Sequence, residues 1–107
     1  MTNLQRNAAQ FDALGDGRFR VGGVLDASTV TRILEDSVSR FRGVPRVVVD
    51  FAAVTASDSS GLALLLEWIR QARKGGQQIH FEEVPEQIMA LARISEVDDL
   101  LLENGGS

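Results

Sequence analysis

The hydrophobic and polar positions at the start of the chain follow the pattern of a hairpin. Residues Gln10 to Leu14 and Arg18 to Val24 are weakly apolar stretches that we interpret as two strands. Between them, Gly15 to Gly17 contains an Asp-Gly pair, which tolerates the positive φ angles that tight hairpin turns require. The chain therefore should open with two antiparallel strands.

A helix is predicted directly after the hairpin. Asp26 and Ser28 are residue types that favour the N-cap of a helix, and Gly43 and Pro45 are typical of its end. The apolar residues between these limits recur at helical spacing, and we expect them to face the core: Val30, Ile33, Leu34, Val38 and Phe41.

The remaining chain alternates strands with helices. Arg46 to Asp50, "RVVVD", lacks alternation, which is typical of a strand covered on both faces. A second helix should close at Gly75-Gly76, and "QIHFE" should follow as a strand with Ile79 and Phe81 on one face and His80 on the other.

Pro85 suits the first turn of a third helix, Glu86 to about Ile94, with Ile88, Leu91 and Ala92 directed inward. The order strand, strand, helix, strand, helix, strand, helix predicts an α/β fold. Its sheet should be mixed, mostly parallel and about four-stranded, with helices packed against it.

The stretch "ASDSSGLALLLEW", Ala56 to Trp68, places three polar residues at the start of the second helix. Asp58, Ser59 or Ser60 can accept hydrogen bonds from the first N–H groups of the helix, which lack partners within it. Capping needs only one of the three, however. A hydroxyl at this position could also contact a partner protein or carry a phosphate, so the two interpretations coexist.

The leucine block predicts two faces of this helix. At about 100° per residue, one stripe forms the core face, and it consists of Leu62, Leu65, Leu66 and Ile69. Leu64 falls nearly opposite, and Trp68 flanks the stripe one turn later. Either a neighbouring segment covers this pair, or Leu64 and Trp68 anchor a partner on the exposed face.

Composition narrows the function. The chain has 107 residues, of which 44% are hydrophobic, and its formal net charge is −4, so we expect one domain that does not bind nucleic acid. It has no cysteine and one histidine, which argues against a metal site. We expect no signal peptide, no membrane insertion and a cytoplasmic location, with about 1–7 and 103–107 frayed at the ends of a domain that spans 1–107.

Motifs for catalysis are missing. The serines are not in a G-x-S-x-G elbow, because Ser57 stands where the first glycine would be. The glycines near Gly22 do not complete a dinucleotide-binding fingerprint, and there is no phosphate-binding loop. A nucleophilic role for Ser59 would need a general base that the sequence does not indicate, so we expect no enzyme activity and no cofactor.

Several segments together resemble the STAS domains of sulfate transporters and anti-sigma-factor antagonists. These are "GVLD" (Gly23 to Asp26), "RVVVDF" (Arg46 to Phe51), "DSSGL" (Asp58 to Leu62) and "HFEEVPEQI". "DSSGL" is the most specific of them, whereas "GVLD" departs from the commoner Gly-Glu-Leu-Asp. Within the family, "GLALLLEWIRQARKGGQQI" and "ALARISEVDDLL" are most similar to the MlaB branch.

That resemblance implies a non-catalytic accessory subunit of an ABC transporter that moves phospholipids between the two membranes of Gram-negative bacteria. Its partner would be the ATPase subunit and, through it, the permease and substrate-binding subunits, which would hold the chain at the inner membrane. By motif position, Ser59 would be the hydroxyl residue needed for the contact. The alternative is an anti-sigma-factor antagonist regulated by phosphorylation of Ser59.

Overall fold

The structure is a computed structural model and describes residues 9–105. The elements in chain order are β1 (Gln10–Gly15), β2 (Arg18–Leu25), α1 (Ala27–Phe41), β3 (Arg46–Ser57), α2 (Ser59–Gly75), β4 (Gln78–Glu82), α3 (Glu86–Ile94) and α4 (Asp98–Glu103). The α/β class, the mixed four-stranded sheet and the order of the first seven elements are confirmed.

The strands lie in the sheet in chain order. β1 pairs antiparallel with β2 through the predicted turn, where Asp16 and Gly17 have φ angles of 55° and 77°. β2 pairs parallel with β3, and β3 pairs parallel with β4, because α1 and α2 carry the chain back to the end of the sheet where the preceding strand began. As a result, α1, α2 and α3 all begin at the same end of the sheet, where the carboxyl ends of β2, β3 and β4 lie.

One hydrophobic core joins the helices to one face of the sheet. Its centre is aromatic, because the Trp68 ring lies 5.4 Å from Phe41, 5.9 Å from Phe11 and 6.4 Å from Phe51, measured between centroids. The indole Nε1 of Trp68 donates a 2.9 Å hydrogen bond to the hydroxyl of buried Ser37. The polar atom of this large side chain is therefore satisfied inside the core.

The prediction that β3 is covered on both faces is confirmed at its start, but the helices cover only one of the two faces. Val47, Val48 and Val49 are all buried, but Val48 is the one buried hydrophobic residue, among those described, outside the common core cluster. Val48 pairs in register with Arg18 on β2 and His80 on β4, so it faces away from the helices. An ion pair of 2.6 Å between Arg18 and Glu82 crosses this face of β3, and long polar side chains thus cover Val48 in place of a helix.

Three other expectations change. Val38 was expected in the core but is 53% exposed, whereas Met89 is buried and was not expected there. The sequence interpretation ended β3 at Asp50, yet the strand runs to Ser57. It also missed α4, whose Leu101 is fully buried.

The two chain ends that were expected to be frayed are about 1–7 and 103–107. The first segment, about 1–7, lies outside the described residues. At the other end, the Phe81 N–H donates a 2.7 Å hydrogen bond to the Asn104 carbonyl, which ties the chain after α4 to the outer edge of β4. Of the predicted segment 103–107, residues 103–105 are described, and the Asn104 carbonyl of this hydrogen bond lies within them.

Across residues 9–105, none of the helices combines the length and the apolar character needed to cross a membrane.

Candidate functional site at the start of the second helix

The tip of α2, which we define as Asp58, Ser59 and Ser60, is held in place by a cap. Asp58 is the N-cap, with extended backbone angles, and its carboxylate accepts a 2.7 Å hydrogen bond from the Ser60 N–H. The predicted cap is thus Asp58 alone. Asp58 and Ser59 are exposed, and Ser60 is half-buried.

Backbone contacts fix the tip to two neighbouring elements. The Asp58 N–H donates to the Leu25 carbonyl at the end of β2, at 3.1 Å. The preceding N–H, of Ser57, donates to the Gln87 side-chain oxygen on α3, also at 3.1 Å. The tip is therefore a rigid corner at which β2, β3 and α3 meet.

Gly61 is required by the packing under this corner. A Cβ at this position would overlap the Ser57 hydroxyl oxygen and lie 3.0 Å from Cδ1 of Ile88. The Ser57 hydroxyl occupies this space because it donates to the Asp58 carbonyl at 2.9 Å. The glycine of "DSSGL" thus has a structural role, which allows α2 to start close to α3.

A second capped helix begins beside the tip. Asp26, the N-cap of α1, accepts hydrogen bonds from the N–H groups of Ser28 and Thr29, and the Thr29 hydroxyl accepts one from the Asp26 N–H. The Thr29 N–H, followed by the Ser28 hydroxyl, lowers the pKa of the Asp26 carboxyl below its ordinary value. Because Leu25 pairs in register with Ser57, the two capping carboxylates lie at one edge of the molecule.

Ser59 itself is not used by the fold. Within the part of the chain that the structure describes, its hydroxyl makes no hydrogen bond, and its side chain is exposed at the positive end of α2. One turn further, Ala63 is also exposed and lies on the same face as Ser59. A small residue there leaves open space beside the hydroxyl.

The interpretation of Leu64 and Trp68 as exposed anchors is wrong in its premise. Leu64 is 0% and Trp68 is 1% exposed, so neither side chain can reach a partner of the folded domain. Neighbouring elements cover α2 on two sides: α1 through the Trp68–Ser37 hydrogen bond, and α3 through the contact between Gly61 and Ile88.

Leu64 and Trp68 were assigned to the exposed face because the core stripe of α2 was predicted at the wrong angle around the helix axis. Leu66, expected in the core, is only half-buried, whereas the buried residues of α2 are Gly61, Leu62, Leu64, Leu65, Trp68, Ile69 and Ala72. At 100° per residue, the centre of this set is rotated by roughly 65° from the predicted stripe, toward Leu64. Including Trp68 and Ala72 in the stripe would have moved its centre by about 30°, roughly half of the way to the observed phase.

Other residues of the site were not singled out from the sequence. Ala63 could have been found from its i+4 spacing to Ser59, although an alanine attracts little notice as a contact residue. No local sequence pattern indicates Gln87, because the Ser57 to which it bonds lies 30 residues earlier in the chain. The only histidine, His80, lies in β4 beside Gly105, in the half of the sheet away from the tip.

A model of the family described as "Mlab, STAS domain" matches residues 9–103, which is most of the chain. The chain belongs to this STAS-domain family. The resemblance noted in the sequence is thereby confirmed, and the STAS assignment agrees with the architecture described above.

Among solved structures, the STAS domain is similar to one described as the anti-sigma factor antagonist SpoIIAA in its unphosphorylated form. The two share 21% sequence identity with a TM-score of 0.63, over 86% of this chain and 84% of that one. At this identity the similarity establishes the shared fold. A search of curated proteins gave no match.

STAS domains typically bind and regulate other proteins rather than catalyse reactions. The tip fits that role, since it presents an unused hydroxyl on a rigid, exposed corner. No group of three metal-ligating side chains lies together among residues 9–105.

Proposed function

We propose that the chain is the non-catalytic accessory subunit of an ABC transporter that moves phospholipids between the inner and outer membranes of Gram-negative bacteria. In this role it binds the ATPase subunit through the tip of α2 and supports lipid asymmetry of the outer membrane. The observation that carries the proposal is the match of the MlaB-type family model over residues 9–103.

The geometry of the tip supports a contact made by Ser59. Its hydroxyl is exposed and makes no hydrogen bond within residues 9–105, so it can bind a partner without loss of the folding contacts described there. Asp58 and Ser60 form the cap that holds it, at 2.7 Å, and contribute at the border of the contact. A preorganised polar group loses little conformational entropy on binding.

Ala63 takes the place of Leu64 and Trp68 in this proposal. It extends the surface from Ser59 along the exposed face of α2, and its small side chain permits close approach by the partner backbone. Leu64 and Trp68 support the contact only indirectly, because they fix α2 in the core.

Through the ATPase the chain would be part of a complex with the permease and substrate-binding subunits. We therefore place it in the cytoplasm, at the inner membrane, with no insertion of its own. The test is affinity capture of the tagged chain, followed by identification of the proteins retained. The proposal expects an ABC ATPase and its permease, and a fractionation in cells without the ATPase should move the chain to the soluble fraction.

A second candidate is an anti-sigma-factor antagonist that is regulated by phosphorylation of Ser59. The observation in its favour is the exposed Ser59 hydroxyl at a helix N-terminus, where the helix dipole favours a phosphate. The same capture experiment distinguishes the two: retention of an anti-sigma kinase, with phosphate found on Ser59, would support this candidate and contradict the transporter proposal.

A further inference from the structure

A groove separates the C-terminal halves of α1 and α2, at the opposite end of these helices from the tip. Its volume is about 470 Å³, within the range of small-molecule sites. A second depression of about 490 Å³ continues it between the loops that follow α1 and α2, and both share Arg42, Gly75 and Gln77. The Gln77 side chain donates to the carbonyls of Phe41 and Val44, which fixes the position of both loops.

The inner wall of the groove is apolar. Phe41 and Ala72 line it from the two helices, and Val47 lies at its base. Val38 stands at its side and is 53% exposed, which makes it one of the few large hydrophobic residues of the described chain that face water. An apolar ligand in the groove would cover Val38 and remove this exposed surface from solvent.

The rim of the groove is positive. Arg42, Arg70 and Lys74 line it, and no acidic residue is among the described residues that do so. Arg70 is paired with Glu67 at 2.5 Å, whereas Arg42 and Lys74 form no ion pair in the described part of the chain. The lining of the groove is therefore positive, although the whole chain carries a net charge of −4.

We infer that this groove binds a monomeric anionic amphiphile, with a single alkyl chain on Val38 and the apolar wall and a phosphate or carboxylate head between Arg42 and Lys74. The positive rim matches the charge of the head, and the apolar wall matches the tail. The site is separate from the tip of α2, so its occupation is compatible with a partner bound there.

The probe for this site is dodecyl phosphate below its critical micelle concentration. Trp68 is the only tryptophan of the chain, and its buried indole forms part of the inner wall of the groove, so its emission should respond to a ligand bound against that wall. We expect a saturable change of Trp68 emission with dodecyl phosphate. Dodecyltrimethylammonium, which has the same tail and a positive head, and inorganic phosphate, which has no tail, should give no saturable change over the same range.

Two variants test the two halves of the site. The double variant Arg42→Glu/Lys74→Glu replaces the two cations beside the anionic head by two anions, so it should weaken binding by about tenfold or more. Its matched control, Arg20→Glu/Arg46→Glu, makes the same change of net charge outside the groove and should bind within about twofold of wild type. Val38→Asp changes an exposed residue, should stay folded, and should also abolish binding.

Three results would overturn the inference. One is equal binding of the cationic amphiphile, and another is unchanged affinity in folded Val38→Asp or in the rim variant. The third is cosedimentation with vesicles of anionic phospholipid without any response to monomeric dodecyl phosphate, which would identify the cations as a membrane-binding surface instead.

Discussion

At the scale of single residues, neighbouring side chains at the tip of α2 have different roles. Asp58 caps the helix, the Ser57 N–H donates to Gln87 on α3, and Gly61 leaves the space that the Ser57 hydroxyl needs. The Ser59 side chain is exposed, and its hydroxyl makes no hydrogen bond in the described part of the chain. This division explains why a cap motif can also present a binding group.

Replacing Gly61 tests the packing under the tip. We expect Gly61→Ala to destabilise the domain by about 1–3 kcal/mol, because the added Cβ overlaps the Ser57 hydroxyl oxygen. Gly75→Ala is the matched control at the other end of α2. There the nearest atom is the Gln77 side-chain oxygen at 3.6 Å, and the change should stabilise by about 0.5–1 kcal/mol.

Urea denaturation gives both free energies of unfolding. The double variant Gly61→Ala/Ser57→Ala should recover part of the loss, since it removes the overlapping hydroxyl. Equal stability of Gly61→Ala and Gly75→Ala would contradict the packing argument.

The Asp26 cap predicts a pH dependence. The pKa of its carboxyl is lowered in the folded chain, chiefly by the Thr29 N–H. The folded state therefore binds fewer protons than the unfolded state, and the stabilisation is present above the ordinary aspartate pKa and lost as pH falls through the folded one.

Wild type should be more stable than Asp26→Asn at neutral pH, and the difference should shrink as the pH falls below about 4. Thermal melts between pH 3 and 7 measure it, with Asp12→Asn, which lies outside any helix cap, as the control. A difference that stays constant with pH would show that the carboxylate charge contributes nothing.

At the scale of elements, sequence patterns gave the helix starts correctly and the helix faces less well. The first two helices begin within the predicted polar stretches, after Asp26 and after Asp58, because capping depends on local residues. The buried face of α2 depends on α1 and α3, which pack on two sides of it, and the predicted stripe left out Leu64 and Trp68.

Length and register were also hard to predict. The second half of β3 is rich in alanine, which has low strand propensity, and its pairing with β2 is interrupted by two register shifts. α4 has only six residues, too few to show a helical period. Neither feature could be recognised from local periodicity.

The adjacent residues Ala63 and Leu64 of α2 should differ widely in how much a substitution by glutamate destabilises the domain. Leu64→Glu buries a charge without a partner at a fully covered position, and we expect a loss of about 3 kcal/mol or more, comparable to Leu65→Glu. Ala63→Glu places the same charge on the exposed face and should change stability by only about 0.5 kcal/mol. Circular dichroism melts of the three variants would expose a wrong helix phase if Leu64→Glu melted like Ala63→Glu.

At the scale of the whole molecule, the two ends of the helices differ. The capping carboxylates Asp26 and Asp58 lie with Ser59 at one end, while the cations Arg42 and Lys74 line the groove at the other. The helices cover one face of the sheet and the open face carries paired charges such as Arg18 and Glu82. The fold thus separates the proposed partner contact from the proposed ligand groove.

The central claim is that the tip of α2 binds the transporter ATPase. The most direct test is the dissociation constant of the purified chain for that ATPase, measured for wild type and Ala63→Arg. The arginine would block close approach beside Ser59 and should weaken binding by about 2 kcal/mol, roughly thirtyfold, while the domain stays folded. Ser39→Arg adds the same charge to an exposed position near the C-terminal end of α1 and should bind like wild type. Equal affinity of Ala63→Arg and wild type would contradict the account.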